Sequence, residues 1–386
     1  MKDEKSCSKD YNYGEWGETY ALSCILRDHS ISLCNNKLET SETQIPIITV
    51  QLRTETKHYI YTYNNAIQGW DIRVAQNGSG NGTLSPLTIQ KASEIAAKIK
   101  LALQTRRSTL DQGFIKNIKK LGLYPDSKSS NTKTDIILKI QDIKCGFDIE
   151  LGYSIKTFIS RNPPTLFNAS GDNTIYKYKI SGIRKQKFMQ IQAQSEEMHN
   201  SKKIHNWFTR TIQLLNTNNA NFSPYLDTEK ALSYNLSYID LEMDKVLSYL
   251  VLIFHTKKIT SIEDAVHILK SIDPLKLKNS ELYEYKVKKF LVASAFGMTA
   301  AKKWDGVEHA NGGFIIVTPE YKLIMYQPYN RNDLEEYLYK ACKFDKPSSG
   351  KCVPLYIIGR DKFIDLAFQI RFKSFTGIQK ALSSQP

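Results

Sequence analysis

Two short segments carry the residue types that phosphodiester chemistry requires. They are Thr134-Asp135-Ile-Ile-Leu-Lys-Ile140 and, soon after, Gly152-Tyr153-Ser154-Ile155-Lys156-Thr157. In the first, Ile136, Leu138 and Ile140 alternate with Asp135, Ile137 and Lys139, the period-two pattern of a half-buried strand. In the second, Ser154, Lys156 and Phe158 share one face, while Tyr153, Ile155 and Thr157 take the other. A carboxylate at the start of one strand and a lysine on its neighbour form a minimal set for metal-assisted hydrolysis. The carboxylate holds Mg²⁺; the lysine orients or deprotonates the attacking water and neutralises charge developing on the phosphate. A strand cap and an exposed strand lysine are the plainer readings of the same pair. Against the second stand Tyr153, Ile155 and Phe158, which mark a mostly buried strand where an ammonium needs carboxylates nearby.

Other residues compete to complete such a site. Glu18 follows Gly14 and Gly17, and a glycine inside a helix costs ~1 kcal/mol relative to alanine. Their presence points to close approach of another backbone or a ligand, and an N-terminal helix can lend its carboxylate to a metal; the alternative is a solvated glutamate. Asp148 and Glu150 precede the lysine and read as the solvated side of a hairpin turning at Glu150-Leu-Gly152. Asn168, Ser170 and Asn173 suit contacts to phosphate oxygens and sugars, and suit turns equally well. Gly78-Ser-Gly-Asn-Gly82 lacks the Gly-Lys-Ser/Thr of a phosphate loop and reads as a flexible connection. The histidines show no metal-binding spacing, the six cysteines never approach CxxC, and no nucleophile elbow occurs, so zinc and acyl-transfer chemistry are not expected.

The elements that must position these residues follow from periodicity. A helix is expected over 14–28, with Trp16, Tyr20, Ala21, Cys24 and Ile25 as its buried stripe. Strands follow over 45–76, then helices over about 86–106 and 109–121. The polar run Ser127–Lys133 leads into the Asp135 strand, and Asn162-Pro-Pro164 ends the strand that carries Lys156. A helical turn and another strand are expected over 165–180. Residues 185–300 read as helices, with a cap at Ser261 and Asp264. Strands return after Gly306, with one helix at 331–341. Three segments result: 1–125, a catalytic core over 126–225, and 226–386 with a recognition role. The fold class is α/β, a mixed β-sheet flanked by helices.

The net charge of +14 points to a polyanionic partner, most simply nucleic acid, with a merely soluble basic protein or an acidic membrane surface as alternatives. Arg184-Lys-Gln-Lys187 and the tyrosine/lysine mix of 281–289 either line a DNA groove or form solvated helix faces. No segment approaches the ~20 apolar residues of a membrane span. The polar N-terminus lacks a secretory core, so a cytoplasmic location is expected.

In order along the chain stand GEWGETYALSCIL, KTDIILKIQD, ELGYSIKT, PPTLFNAS, ELYEYKVKKFLVASAFGM, KKWDG, NGGFIIV, YNRNDLEEYL, DKPSSGK and LAFQIRF. This ordered set resembles the type II restriction endonucleases of the HpaII kind, on the PD-(D/E)xK nuclease fold with extra helical and β elements. The resemblance implies Mg²⁺-dependent cleavage of both strands of a duplex at a short, CCGG-like site. Asp135 takes the family's metal-binding aspartate, Lys156 its catalytic lysine and Glu18 the helix carboxylate, with a backbone carbonyl near Ile155 as a further metal ligand. Ser154 departs from the broad pattern, because an acid usually precedes the lysine by two. The completing acid is then Glu18, Glu150 or another residue. Base readers fall around Asn330-Arg331-Asn332 and Ser348-Ser349-Gly350-Lys351. Double-stranded DNA is the implied partner, together with a methyltransferase of the same system; monomer or homodimer stays open. Two readings compete: a DNA- or RNA-binding protein without catalysis, indifferent to divalent ions, and a repair or recombination nuclease that cuts by structure.

Overall fold

The computed structural model describes residues 13–35, 37–54, 56–76, 79–105, 110–124, 133–201, 206–226, 230–347 and 355–383. Ser348, Ser349 and Lys351 lie outside the described residues, as does most of the polar run before Lys133. The chain forms two compact units and passes repeatedly between them. Met1–Pro164, Glu308–Asn330 and Ser374–Pro386 make the first; Thr165–Val307 and Arg331–Lys373 make the second. These units run across the boundaries drawn at 125/126 and 225/226.

The first unit opens with helix α1 (Tyr13–Asp28) and strands β1 (Ser30–Cys34), β2 (Thr40–Arg53), β3 (Lys57–Asn64), β4 (Gly69–Gln76) and β5 (Ser79–Thr88). Helices α2 (Ile89–Thr105) and α3 (Gln112–Lys120) follow, then the hairpin β6 (Ile136–Asp142) and β7 (Phe147–Thr157). The second unit begins with β8 (Thr165–Phe167), β9 (Ile175–Ser181), α4 (Lys185–Asn200), α5 (Trp207–Thr217) and β10 (Asn221–Tyr225). It continues through α6 (Ala231–Ser237), α7 (Met243–Lys257), α8 (Ile262–Ile272) and α9 (Glu281–Phe296). The chain returns to the first unit for β11 (Gly313–Val317) and β12 (Leu323–Tyr326). The second unit then receives α10 (Arg331–Ala341), β13 (Cys342–Asp345), β14 (Tyr356–Ile358), β15 (Asp361–Ala367) and β16 (Gln369–Phe372); α11 (Phe375–Ser383) belongs to the first.

The sheet of the first unit runs β1-β12-β11-β7-β6-β2-β3-β4-β5. It is mixed: β1–β12 and β11–β7 are parallel, the remaining pairs antiparallel. Because β1 also pairs with β2, six strands close on themselves, and β3 to β5 leave the ring as an antiparallel meander. The length of β2 makes this closure feasible. Its first half pairs with β1, and its second half with β6 on one edge and β3 on the other. Helices α1 and α2 contribute Trp16, Tyr20, Ile25, Ile95 and Ile99 to the core beneath these strands.

Two expectations change. The glycine-rich segment read as a flexible loop contributes to a strand, since Ser79–Thr88 pairs with β4. The open edge of β4 supplies a ladder of backbone partners, which offsets the weak intrinsic preference of glycine for strands. The β6–β7 hairpin turns at Ile143–Gly146, not at Glu150-Leu-Gly152. There Asp142 Oδ1 accepts from the N–H groups of Lys144 (2.9 Å) and Cys145 (3.0 Å), and Gly146 takes φ +75°. Glu150 therefore stands within β7, opposite Lys139.

The second unit holds two antiparallel sheets, β10-β9-β15-β14 and β13-β16-β8, with its helices. An ion-pair ladder links α8, α9 and α10: Lys270–Glu284 at 2.6 Å, Glu284–Lys288 at 2.7 Å, Lys288–Glu336 at 2.8 Å and Glu336–Lys340 at 3.1 Å. Lys286 pairs with Asp240, and Lys289 with Glu335. The lysines of 281–289 thus hold helices together.

Candidate active site

Helix α1 forms because its apolar residues recur at helical spacing, and Trp16, Tyr20, Ala21, Cys24 and Ile25 are all buried. Its polar ends are tied down: Tyr20 Oη donates to the Tyr321 carbonyl (2.9 Å), and Trp70 Nε1 donates to the Leu26 carbonyl (2.6 Å). The glycine flagged in the sequence has a direct cause. A Cβ on Gly17 would lie 2.6 Å from Thr157 Cγ2, so the α1 backbone rests against β7 at Thr157. Glu18, the next residue, is thereby delivered beside the strand that carries Ser154 and Lys156.

A shallow, open cleft lies at this corner. It is lined by Glu15, Glu18 and Thr19 of α1, Leu52 to Thr54 at the end of β2, Gly122 to Tyr124 after α3, and Asp135 with Ile155. Asp135 immediately precedes β6, and its N–H donates to the Tyr153 carbonyl (2.9 Å). Ile136 pairs with Tyr153, so Asp135 stands abreast of Ser154. The Asp135 Oδ2 accepts from the Ile155 N–H (2.7 Å) and from Ser154 Oγ (3.1 Å). Ser154 thus holds the carboxylate in place instead of supplying one. Successive strand residues turn their backbone groups to opposite edges. Phe158 donates toward β11, to the Val317 carbonyl (2.8 Å), so Ile155 turns both N–H and C=O toward Asp135.

Lys156 is half-buried and shares the Ser154 face, two residues farther along β7. Lys133, two residues before Asp135, is near enough to feel the charges of both Lys156 and Asp135. Burial first, and then the Lys156 ammonium, push Lys133 down to about 7, with Asp135 pulling it back up. Glu150 lies elsewhere: it is exposed and accepts from Gln51 Nε2 (2.6 Å), while Asp148 is 3.3 Å from Lys139. The acid the cleft adds to Asp135 is Glu18, with Glu15 one turn earlier. Among the described residues no group of three or more His, Cys, Asp or Glu converges.

None of the remaining described candidates lines this cleft, and of them only Asn330 shares its unit. Asn168, Ser170 and Asn173 belong to the second unit. Asn173 Oδ1 accepts from the Ala231 N–H (3.2 Å), a helix-start contact, and the Ser170 N–H donates to Thr174 Oγ1 (3.0 Å). Asn330, Arg331 and Asn332 are exposed where α10 begins, with Arg331 Nε 3.6 Å from Glu335 Oε1. Sequence reasoning passed over Lys133, Glu15 and Arg53. Lys133 had a signal, since it shares parity with Asp135, but it was grouped with the linker.

A family model described as HpaII restriction endonuclease matches residues 12–372. The chain belongs to the HpaII restriction endonuclease family. The type II restriction enzyme HpaII of Haemophilus parainfluenzae is 31% identical over 366 residues, which span 94% of this chain and 98% of that protein. No solved structure matches the chain. As a member of the HpaII family the protein is a restriction endonuclease, a hydrolase that binds and cuts double-stranded DNA. Among the described residues no helix is long and apolar enough to cross a membrane.

Proposed function

We propose that this restriction endonuclease is Mg²⁺-dependent, cuts both strands at a short CCGG-like site, and works through a PD-(D/E)xK-type core centred on Asp135 and Lys156. The observation that carries the reading is the Asp135 carboxylate, clamped by Ile155 and Ser154 in a cleft that also holds Glu18. The donors suit a hard cation. Two carboxylates and a backbone carbonyl are oxygen ligands, and Mg²⁺ commonly takes one or two protein carboxylates and keeps several waters. Asp135, Glu18 and the Ile155 carbonyl would hold it. When bound, the ion polarises the phosphate and lowers the pKa of water.

The chain's own groups do the rest. Ser154 and the Ile155 N–H fix Asp135 before substrate arrives, so no reorganisation is needed at the moment of reaction. Lys156 orients the attacking water and offsets negative charge on the phosphoryl oxygens. Water attacks phosphorus in line, the P–O3′ bond breaks, and the departing oxygen takes a proton. The products are a 5′-phosphate and a 3′-hydroxyl. Exposed Asn330, Arg331 and Asn332 are of the types that read base edges in the major groove. A methyltransferase of the same system would protect the host's own sites, and a homodimer would place one such cleft on each strand.

Digestion of a sequenced plasmid with Mg²⁺, with and without EDTA, tests this reading when the fragment ends are sequenced. Discrete fragments sharing a short motif, lost in EDTA, are expected. A smear would replace sequence-specific cutting with structure-directed or non-specific cutting. Intact plasmid with binding retained would support a protein that only binds. Binding itself is expected to weaken with salt, by about 0.9 in the log–log slope per neutralised phosphate.

A further inference from the structure

We infer that Arg53 is a further catalytic residue, whose guanidinium holds a non-bridging oxygen of the scissile phosphodiester beside Asp135. The inference rests on the cleft being the DNA-cutting site. Its first support is strand register. In the β2–β6 pair Val50 stands opposite Leu138, and Gln51 opposite Ile137. β2 runs two residues beyond Gln51 to end at Arg53, while Asp135 lies two residues before Ile137, and both line the same cleft. Arg53 and Asp135 thus stand at the same end of adjacent strands, and Ser154 of the third strand bonds Asp135 (3.1 Å).

The second support is the charge of the cleft. Glu15, Glu18 and Asp135 bring carboxylates to it, and among the described lining residues Arg53 is the only one with a positive charge. A phosphodiester entering beside these carboxylates meets repulsion that a guanidinium would help Lys156 and the divalent ion to offset. A guanidinium presents parallel N–H groups that match phosphate oxygens, which a carboxylate-lined site otherwise lacks.

The third support is anchorage. Arg53 is the last residue of β2 and pairs with His58 of β3. The turn beyond it is closed by the Thr54 N–H to the Lys57 carbonyl (2.8 Å), and Thr54 Oγ1 contacts both the Lys57 N–H and carbonyl (3.0 Å each). The guanidinium is thus launched from a fixed hairpin end. Arg53 is exposed, and among the described residues no carboxylate pairs with it. A purely structural ion pair does not account for it.

The test compares wild type, R53A, R53Q and R53K on a supercoiled plasmid carrying CCGG sites. Single-turnover cleavage with Mg²⁺ at saturating enzyme gives the rate, and gel shift with Ca²⁺ in place of Mg²⁺ gives the affinity. Thermal midpoints are expected to stay at the wild-type value, because the side chain is exposed. R53A and R53Q are expected to cut about 100-fold more slowly at saturation. Their affinity should fall by much less, R53K should recover part of the rate, and the salt slope should shrink by about 0.9. Wild-type rates in R53A and R53Q would overturn the assignment. So would a loss of affinity with full rate at saturation, which would make Arg53 an ordinary backbone contact. Wild type that binds the plasmid and leaves it intact would instead sink the endonuclease reading of the cleft, a different failure.

Discussion

Strand β6 is bracketed by two aspartates with opposite fates. Asp142, at its end, is 1% exposed and its carboxylate is surrounded by donors. The Lys144 and Cys145 N–H groups, Gln327 Nε2 (2.9 Å) and Tyr329 Oη (3.4 Å) all point at it. That set ties the β6–β7 turn to the segment after β12. Asp135, just before the strand, is half-buried and lines a cleft, where its Oδ2 accepts from Ser154 Oγ and the Ile155 N–H. One residue type serves architecture at one end and chemistry at the other. The difference lies in burial and in whether substrate can reach the carboxylate. A fully buried carboxylate ringed by donors is structural; one that lines a cleft is placed to meet a ligand.

The largest effect is expected on the Asp135 side. Lys156→Ala should lower single-turnover cleavage on the order of 10³-fold while DNA binding persists. A K156A protein that cuts normally would break the contrast, since the chemistry would then lie elsewhere. The buried side sharpens it through pH. His255 is fully enclosed, with Nε2 2.8 Å from the Ala367 carbonyl. Burial pushes it down to about 4; the Ala367 carbonyl opposes this and Lys346 adds to it. Above the unfolded value of about 6.5 both states are neutral and His255 adds no pH dependence. Between about 6.5 and 4 the unfolded chain takes up a proton that the folded one refuses, so stability falls with falling pH by roughly 3 kcal/mol. Urea unfolding at pH 7 and pH 5, with H255Q as control, should show about 2 kcal/mol of this loss in the wild type alone; equal losses in both proteins would remove His255 as the cause. A smaller effect is expected at Gly17. Gly17→Ala forces a Cβ into Thr157 and should destabilise by about 1–3 kcal/mol. It should also slow cleavage, because Glu18 moves with α1. Thr157→Ser in the same chain should restore part of both losses, and its failure to do so would locate the clash elsewhere.

Much of the local structure was legible in the sequence. The stripe of α1, the helix over 331–341, the Ser261 cap and the β2–β4 meander all follow from periodicity and end chemistry, which act over a few residues. The Asp135 strand and the shared Ser154 and Lys156 face were legible for the same reason. What escaped depends on partners distant in sequence. The segment Ser79–Thr88 is a strand because β4 offers an edge, and the six-strand closure requires β1 to meet both β2 and β12. Arg53 reaches the Asp135 cleft from the end of a neighbouring strand, which no spacing along the chain displays. Ser154 showed the limit most clearly: its type departed from the acid expected there, and only its 3.1 Å bond to Asp135 gives it a role.

The most direct test of the contrast is a side-by-side assay of D135N and D142N. Each variant is assayed at a temperature where unfolding curves show it folded, by single-turnover plasmid cleavage with Mg²⁺ per folded molecule. D135N should fold like wild type and fail to cut. D142N should be less stable by about 1–3 kcal/mol and cut at close to the wild-type rate. Normal cleavage by D135N would contradict the assignment of the cleft as the cutting site.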